Sequence, residues 1–141
     1  MAFSQEFNET QQLIKLAEER AENVQKKIFL INPIDENVRN ILENLEIDAQ
    51  DYKYTVSNFE MQHALNKHCK DTFPLVPKDF ALVPTLIKNY DFVRYCGKTR
   101  SGLKTIKYTK RYELYIHCLL EIRNGKKELA LKTMYKNKKA Y

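Results

Sequence analysis

Of the three histidines in this 141-residue chain, His63 and His68 lie in one short segment and His117 lies far downstream. Histidine takes or gives a proton near neutral pH, and a hydroxyl such as that of Thr133 donates to a phosphate oxygen. A histidine and a threonine brought together could therefore act on a phosphodiester by general acid–base catalysis. The element that must position the first is a helix. Ser57 followed three residues later by Glu60 reads as a capping box opening a helix over 58–70. At about 100° per residue, Met61, Ala64, Leu65 and His68 share one side, while His63 points roughly 140° away from His68. His68 should face the core or a cleft, and His63 should look outward or sideways. The two do not share a helical face and Cys69 lies beside them, so the spacing supports no zinc site; neither metal nor cofactor is expected.

The second element is a strand. From Asp91 onward the hydrophobic pattern alternates, predicting strands over 92–96, 103–108, 112–123 and 126–136. Asn124-Gly125 is the signature of a two-residue type I′ hairpin. Counting back from it pairs Ile122 with Lys127, Leu120 with Leu129, Cys118 with Leu131 and Ile116 with Thr133, which gathers the large aliphatics on one face. Glu121 then opposes Glu128, a mildly destabilising like-charge pair. In this register Thr133 continues the apolar face of Leu129 and Leu131 towards the helix carrying His68. His117 falls on the other face opposite Lys132, as a solvated strand residue.

Upstream, Phe3, Phe7, Thr10, Ile14, Ala17, Ala21, Val24 and Ile28 form a thin stripe that predicts a helix over 5–26. Two readings stand: a helix packed on the body, or a connector from a larger carrier protein. The chain accordingly divides into an N-terminal helix, 1–26, and a domain, 27–141. Asn32-Pro33 breaks the chain, and Asp35 can cap a second helix with Val38, Ile41, Leu42 and Leu45 on one face, ending near Glu46. Pro74, Pro77 and Pro84 punctuate a loop in which 78–82 could form one helical turn.

Twenty-four Lys and Arg against eighteen Asp and Glu give a net charge of +6. The excess is C-terminal: within 94–141 the only acids are Glu113, Glu121 and Glu128. Tyr95, Tyr108, Tyr112, Tyr115 and Tyr135 interleave with those cations, the mixture that binds phosphates and stacks bases, although a solvated strand face would have the same composition. No apolar run is long enough to span a membrane, and 1–14 lacks the pattern of a secretory signal peptide. Cys69, Cys96 and Cys118, odd in number and widely spaced, read as reduced, buried thiols of a cytoplasmic protein.

Several segments together resemble the phage-type nuclease domains grouped with barnase, EndoU, colicin tRNases and RelE. They are Ile47-Asp48 and Asp51-Tyr52-Lys53, the helix with His63 and Lys67-His68, Asp79-Phe80, Tyr90-Asp91, Gly97-Lys98-Thr99, Thr105-Ile106-Lys107-Tyr108, and Leu129-Ala130-Leu131-Lys132-Thr133-Met134-Tyr135-Lys136. The resemblance covers about 27–136. It departs at Leu30-Ile31-Asn32, where similar domains often have Leu-Gly, and at Cys69, where Gly is usual. It implies an α+β fold, with N-terminal helices packed on a twisted, mainly four-stranded antiparallel sheet, and cleavage of RNA, tRNA included, without metal.

RNA carries its own nucleophile, the 2′-hydroxyl, so such a site needs only proton transfer and charge stabilisation on the way to a 2′,3′-cyclic phosphate. On this reading His68 is the first catalytic candidate and His63 the second, with Lys107 as cationic stabiliser and Thr133 as phosphate hydrogen-bonder. Lys98 is a second cationic stabiliser, Tyr108 and Tyr135 serve in base stacking or proton transfer, and Lys98, Arg100, Lys104, Lys132 and Tyr135 contact RNA. The implied role is that of a toxin or effector, resident in or delivered into a cytoplasm, with an immunity protein or antitoxin as partner. A non-catalytic RNA-binding module, or an adaptor of a phage or secretion system, would use the same basic sheet or the N-terminal helix.

Overall fold

The computed structural model describes the backbone of residues 2–19 and 24–140, and the side chains of 8–19 and 24–140. Helix α1 (Ala2–Glu18) is followed by strand β1 (Lys27–Phe29), helix α2 (Glu36–Asn44), strand β2 (Lys53–Ser57), helix α3 (Asn58–His68), a 3₁₀ helix (Pro77–Leu82) and helix α4 (Val83–Lys88). Strands β3 (Phe92–Lys98), β4 (Lys104–Arg111), β5 (Tyr115–Arg123) and β6 (Glu128–Asn137) complete the chain.

The fold is α+β, but the sheet has six strands rather than four, in the order β1-β2-β6-β5-β4-β3. The four expected strands form an antiparallel meander. The additional pair joins at β6, where β2 runs parallel to it and β1 closes the edge antiparallel to β2. These two strands escape the alternation rule because β2 is short and buried on both sides from Tyr54 to Ser57.

Helix starts follow their local signals. The Asp35 carboxylate accepts the Val38 N–H at 2.9 Å, and Val38 and Leu42 are buried below it. Ser57 Oγ accepts the Glu60 N–H at 3.4 Å, but the Glu60 carboxylate lies 3.6 Å from Arg123 in an ion pair. Pro84 stands in the first turn of α4, where its missing N–H costs nothing. Helix α1 ends earlier than its stripe predicts, and among the described side chains the inward side shares only Ala17 with that stripe: Glu9, Leu13, Leu16 and Ala17 are buried, while Thr10 and Ile14 are half-buried, Val24 is 66% exposed and Ile28 belongs to β1. The side chains of Phe3 and Phe7, and Ala21, lie outside the described residues. The helix packs mainly on the 3₁₀ helix, and Glu9 Oε2 accepts the Ile31 N–H at 3.0 Å.

The β5–β6 hairpin corrects the two-residue turn. Arg123 pairs with Glu128, so the loop is the four residues 124–127, with Lys127 at φ +53° and Gly125 outside the left-handed region. From Arg123–Glu128 to Leu120–Leu131 the register is shifted by two residues, which keeps those side chains on their expected faces. It also places Glu128 opposite Arg123 and Glu121 opposite Ala130, removing the like-charge pair, and Glu128 gains Lys27 at 3.0 Å. The core side of the sheet holds Tyr54, Val56, Ile106, Tyr108, Ile116, Cys118, Leu120, Ile122, Leu129 and Leu131. Of the three thiols only Cys118 is buried there, and burial pushes it up to about 12; Cys96 is half-buried and Cys69 exposed, contrary to expectation.

Candidate active site

The other face of the sheet is polar, and a bulge decides what stands on it. Leu120 opposes Leu131, whereas Leu119 opposes Thr133, so Lys132 is an extra residue without a partner. Beyond it the alternation of β6 inverts. Met134 enters the core beside Cys118, while Thr133 and Tyr135 join Leu119 and His117 on the polar face. The expectation that Thr133 prolongs the face of Leu129 and Leu131 is corrected by this one residue.

Strand β4 supplies the neighbours. Thr105, Lys107 and Thr109 oppose Glu121, Leu119 and His117, and Arg94 of β3 opposes Lys107. Thr105, Lys107, Thr109, His117 and Thr133 are all buried, so this face is a set of sequestered polar groups rather than a solvated one.

Helix α3 brings His68 to this face. Met61 and Ala64 anchor the helix, and one turn further the His68 ring stacks on Tyr135, with centroids 5.4 Å apart and planes at 28°. The chain then turns back, and Asp71 Oδ2 lies 2.7 Å from His68 Nδ1. A carboxylate only accepts, so Nδ1 carries the proton towards Asp71 and Nε2 is left to work. Nε2 is buried and has no hydrogen-bond partner, as has Thr133 Oγ1. Lys107 Nζ donates to the Tyr135 hydroxyl at 3.4 Å. Burial, then the charge of Arg94, lowers the Lys107 pKa, and burial raises that of Tyr135, which stays protonated.

His117, expected as a solvated residue opposite Lys132, is fully buried and opposes Tyr135, its ring 4.7 Å from the phenol at 25°. His63 is exposed on the outer side of α3 and does not join the cluster. Tyr108 is removed from the chemistry altogether: it sits in the core on the opposite face, hydrogen-bonded to the Tyr54 hydroxyl, with burial holding its pKa well above the ordinary value. Lys104 points to the core side, its Nζ 3.5 Å from the Leu45 carbonyl. Lys98 at the end of β3 and Arg100 on the β3–β4 turn are exposed, and Lys132 is half-buried at the bulge. Tyr135 stacks with two imidazoles rather than standing free for a base. Sequence reasoning missed Asp71, although His68-x-x-Asp71 at a helix end places the two within one turn. Among the described residues no group of three or more His, Cys, Asp and Glu side chains could hold a metal ion, and no helix is long and apolar enough to cross a membrane.

A basic polar sheet face crossed by a histidine–carboxylate pair, with a lysine, a tyrosine and a threonine beside it, is equipped to move protons at a phosphate. Residues 32–141 match the family described as phage-Barnase-EndoU-ColicinE5/D-RelE like nuclease3, and the chain belongs to this nuclease family. Comparison with curated proteins and with solved structures finds no match.

Proposed function

We propose that this nuclease is an endoribonuclease that uses the substrate's own 2′-hydroxyl as nucleophile. The observation that carries the reading is the His68–Asp71 pair, whose free Nε2 stands buried and unpartnered on the face that holds Thr133, Lys107 and Tyr135. In the reaction, His68 Nε2 takes the 2′-hydroxyl proton, the 2′-oxygen bonds to phosphorus and the P–O5′ bond breaks, leaving a 2′,3′-cyclic phosphate and a 5′-hydroxyl. The Thr133 hydroxyl donates to a non-bridging oxygen, and the Lys107 ammonium balances the charge that develops there. Tyr135, whose proton burial retains, gives that proton to the departing 5′-oxygen and is resupplied by Lys107 across their 3.4 Å contact. Lys98 at the end of β3 and Arg100 on the turn after it, both exposed, hold the flanking phosphates. In this reading the protein serves as a toxin or effector acting in a cytoplasm, with an immunity protein or antitoxin as its partner, because an active ribonuclease must be restrained in the cell that makes it.

The test is cleavage of total RNA, with the tRNA band followed separately, against single- and double-stranded DNA. RNA fragments ending in 2′,3′-cyclic phosphate, formed equally in EDTA and falling steeply with salt, are expected. Cleavage of DNA alone, or loss in EDTA with rescue by a divalent ion, would overturn the proposal.

A further inference from the structure

His117 has no part in the reaction just described, yet it is the most tightly anchored ring on the polar face. Its Nε2 lies 3.0 Å from Asn137 Oδ1 and 3.1 Å from the Lys139 carbonyl, and a carbonyl can only accept, so Nε2 carries the proton. The Thr109 hydroxyl, 2.9 Å from Nδ1, then donates to that bare nitrogen. Both in-plane nitrogens are thereby fixed from three separate points of the chain: β4, the end of β6 and the residues after it. What remains available is the face of the ring, and it is stacked 4.7 Å from Tyr135, with Tyr115 further along at 6.5 Å. Tyr135 in turn stacks on His68 and receives the Lys107 hydrogen bond.

His68 sits at the last turn of α3, and Tyr135 is one residue past Met134 in a strand whose register a bulge has just shifted. The His68 ring is held at one nitrogen, by Asp71, and the Tyr135 ring through its hydroxyl, by Lys107, so neither has its plane fixed from two sides. A ring pinned at both nitrogens is so fixed.

We propose that His117 is a positioning residue of the nuclease site: it holds the Tyr135 ring, and through it the His68 imidazole and the Lys107 ammonium, in the arrangement the reaction uses. This rests on the endoribonuclease reading above. His117 touches no reacting atom. Its removal should alter catalysis at saturating RNA far more than binding, because misplacement of catalytic groups by about 1 Å costs about 100-fold.

The experiment compares the full chain with His117→Gln, which keeps polar atoms but loses the ring, and His117→Phe, which keeps a flat ring to stack on. Cleavage kinetics are read together with the ¹⁵N resonances of the His68 imidazole. The Gln variant should lose about 10- to 100-fold in kcat with KM within about threefold of the parent, the His68 nitrogens should shift, and Phe should recover part of the loss. A folded Gln variant with parental kcat, a rise in KM alone, or unmoved His68 resonances would overturn the proposal. Should Gln fail to fold, Thr109→Val, which removes only the hydroxyl on Nδ1, should lower kcat several-fold; parental kcat there would overturn it equally. If the parent cleaves no RNA, the endoribonuclease reading falls by that result, and the His68 resonances alone decide whether His117 sets the ring.

Discussion

Replacing Asp71 tests the proposed chemistry at a residue that touches no substrate. Its carboxylate lies 2.7 Å from His68 Nδ1 and fixes which nitrogen is bare. A hydrogen bond to a charged group contributes roughly 1.5–3 kcal/mol and a neutral one roughly 0.5–1.5. The Asp71 side chain is 38% exposed, and solvent screening puts the contact at the lower end of the charged range. Asp71→Ala should therefore cost about 1.5–2 kcal/mol of transition-state stabilisation, or about 10- to 30-fold in kcat. Asp71→Asn can still accept the Nδ1 proton through its amide oxygen and keeps the tautomer, so it should lose only about fivefold. The assay is single-turnover cleavage of an RNA oligonucleotide at saturating enzyme, with thermal unfolding as the control for structure. Ala at parental rate, in a protein whose His68→Ala variant is inactive, would show that His68 works without the carboxylate. An Asn variant slower than Ala would show that its amide donates to Nδ1 and moves the proton to Nε2, refuting the expectation that Asn keeps the tautomer.

His68→Ala should reduce RNA cleavage by roughly 10²- to 10⁴-fold, whereas His63→Ala, on the exposed side of α3, should leave it near parental; the reverse outcome would move the catalytic assignment to His63. Thr133→Val should lower cleavage with little change in stability, since it removes a hydroxyl that has no protein partner; a folded variant cleaving at parental rate would remove Thr133 from the site. In urea melts, Gly97→Ala should destabilise by roughly 1–2 kcal/mol because its φ of +86° is left-handed, while Gly125→Ala should be neutral or slightly stabilising; equal effects would refute the four-residue hairpin loop. Burial lowers the His117 pKa below its ordinary 6.5, so the unfolded chain binds the extra proton and stability falls as pH drops from about 6.5 towards the folded value. The slope is at most about 1.4 kcal/mol per pH unit, and its persistence in His117→Gln would assign it elsewhere.

Much of this architecture is local and therefore readable in the chain. Asp35 and Ser57 announce their helices because a cap is a contact between residues three apart. The α3 side carrying Met61, Ala64 and His68 follows from helical geometry alone, and the meander from β3 to β6 follows from alternation. The basic C-terminal half and the segments from Ile47 to Lys136 carry the family resemblance without any coordinates.

What the sequence by itself could not decide is every feature set by partners distant along the chain. Strand β2 becomes a strand because β6 lies beside it, and its two covered faces erase the alternating pattern. The unpaired Lys132 turns Thr133 and Tyr135 to the polar face, and nothing in the string Leu131-Lys132-Thr133 marks a bulge. Tyr108, adjacent to Lys107 in sequence, is separated from it by the sheet itself, because consecutive strand residues point to opposite faces. His117 changes from a solvated residue to a buried anchor through contacts with Thr109, Asn137 and Lys139 that only the closed sheet assembles. The chain thus specifies which groups can do the chemistry, while register and burial, which depend on which strands meet, determine which of them share a site.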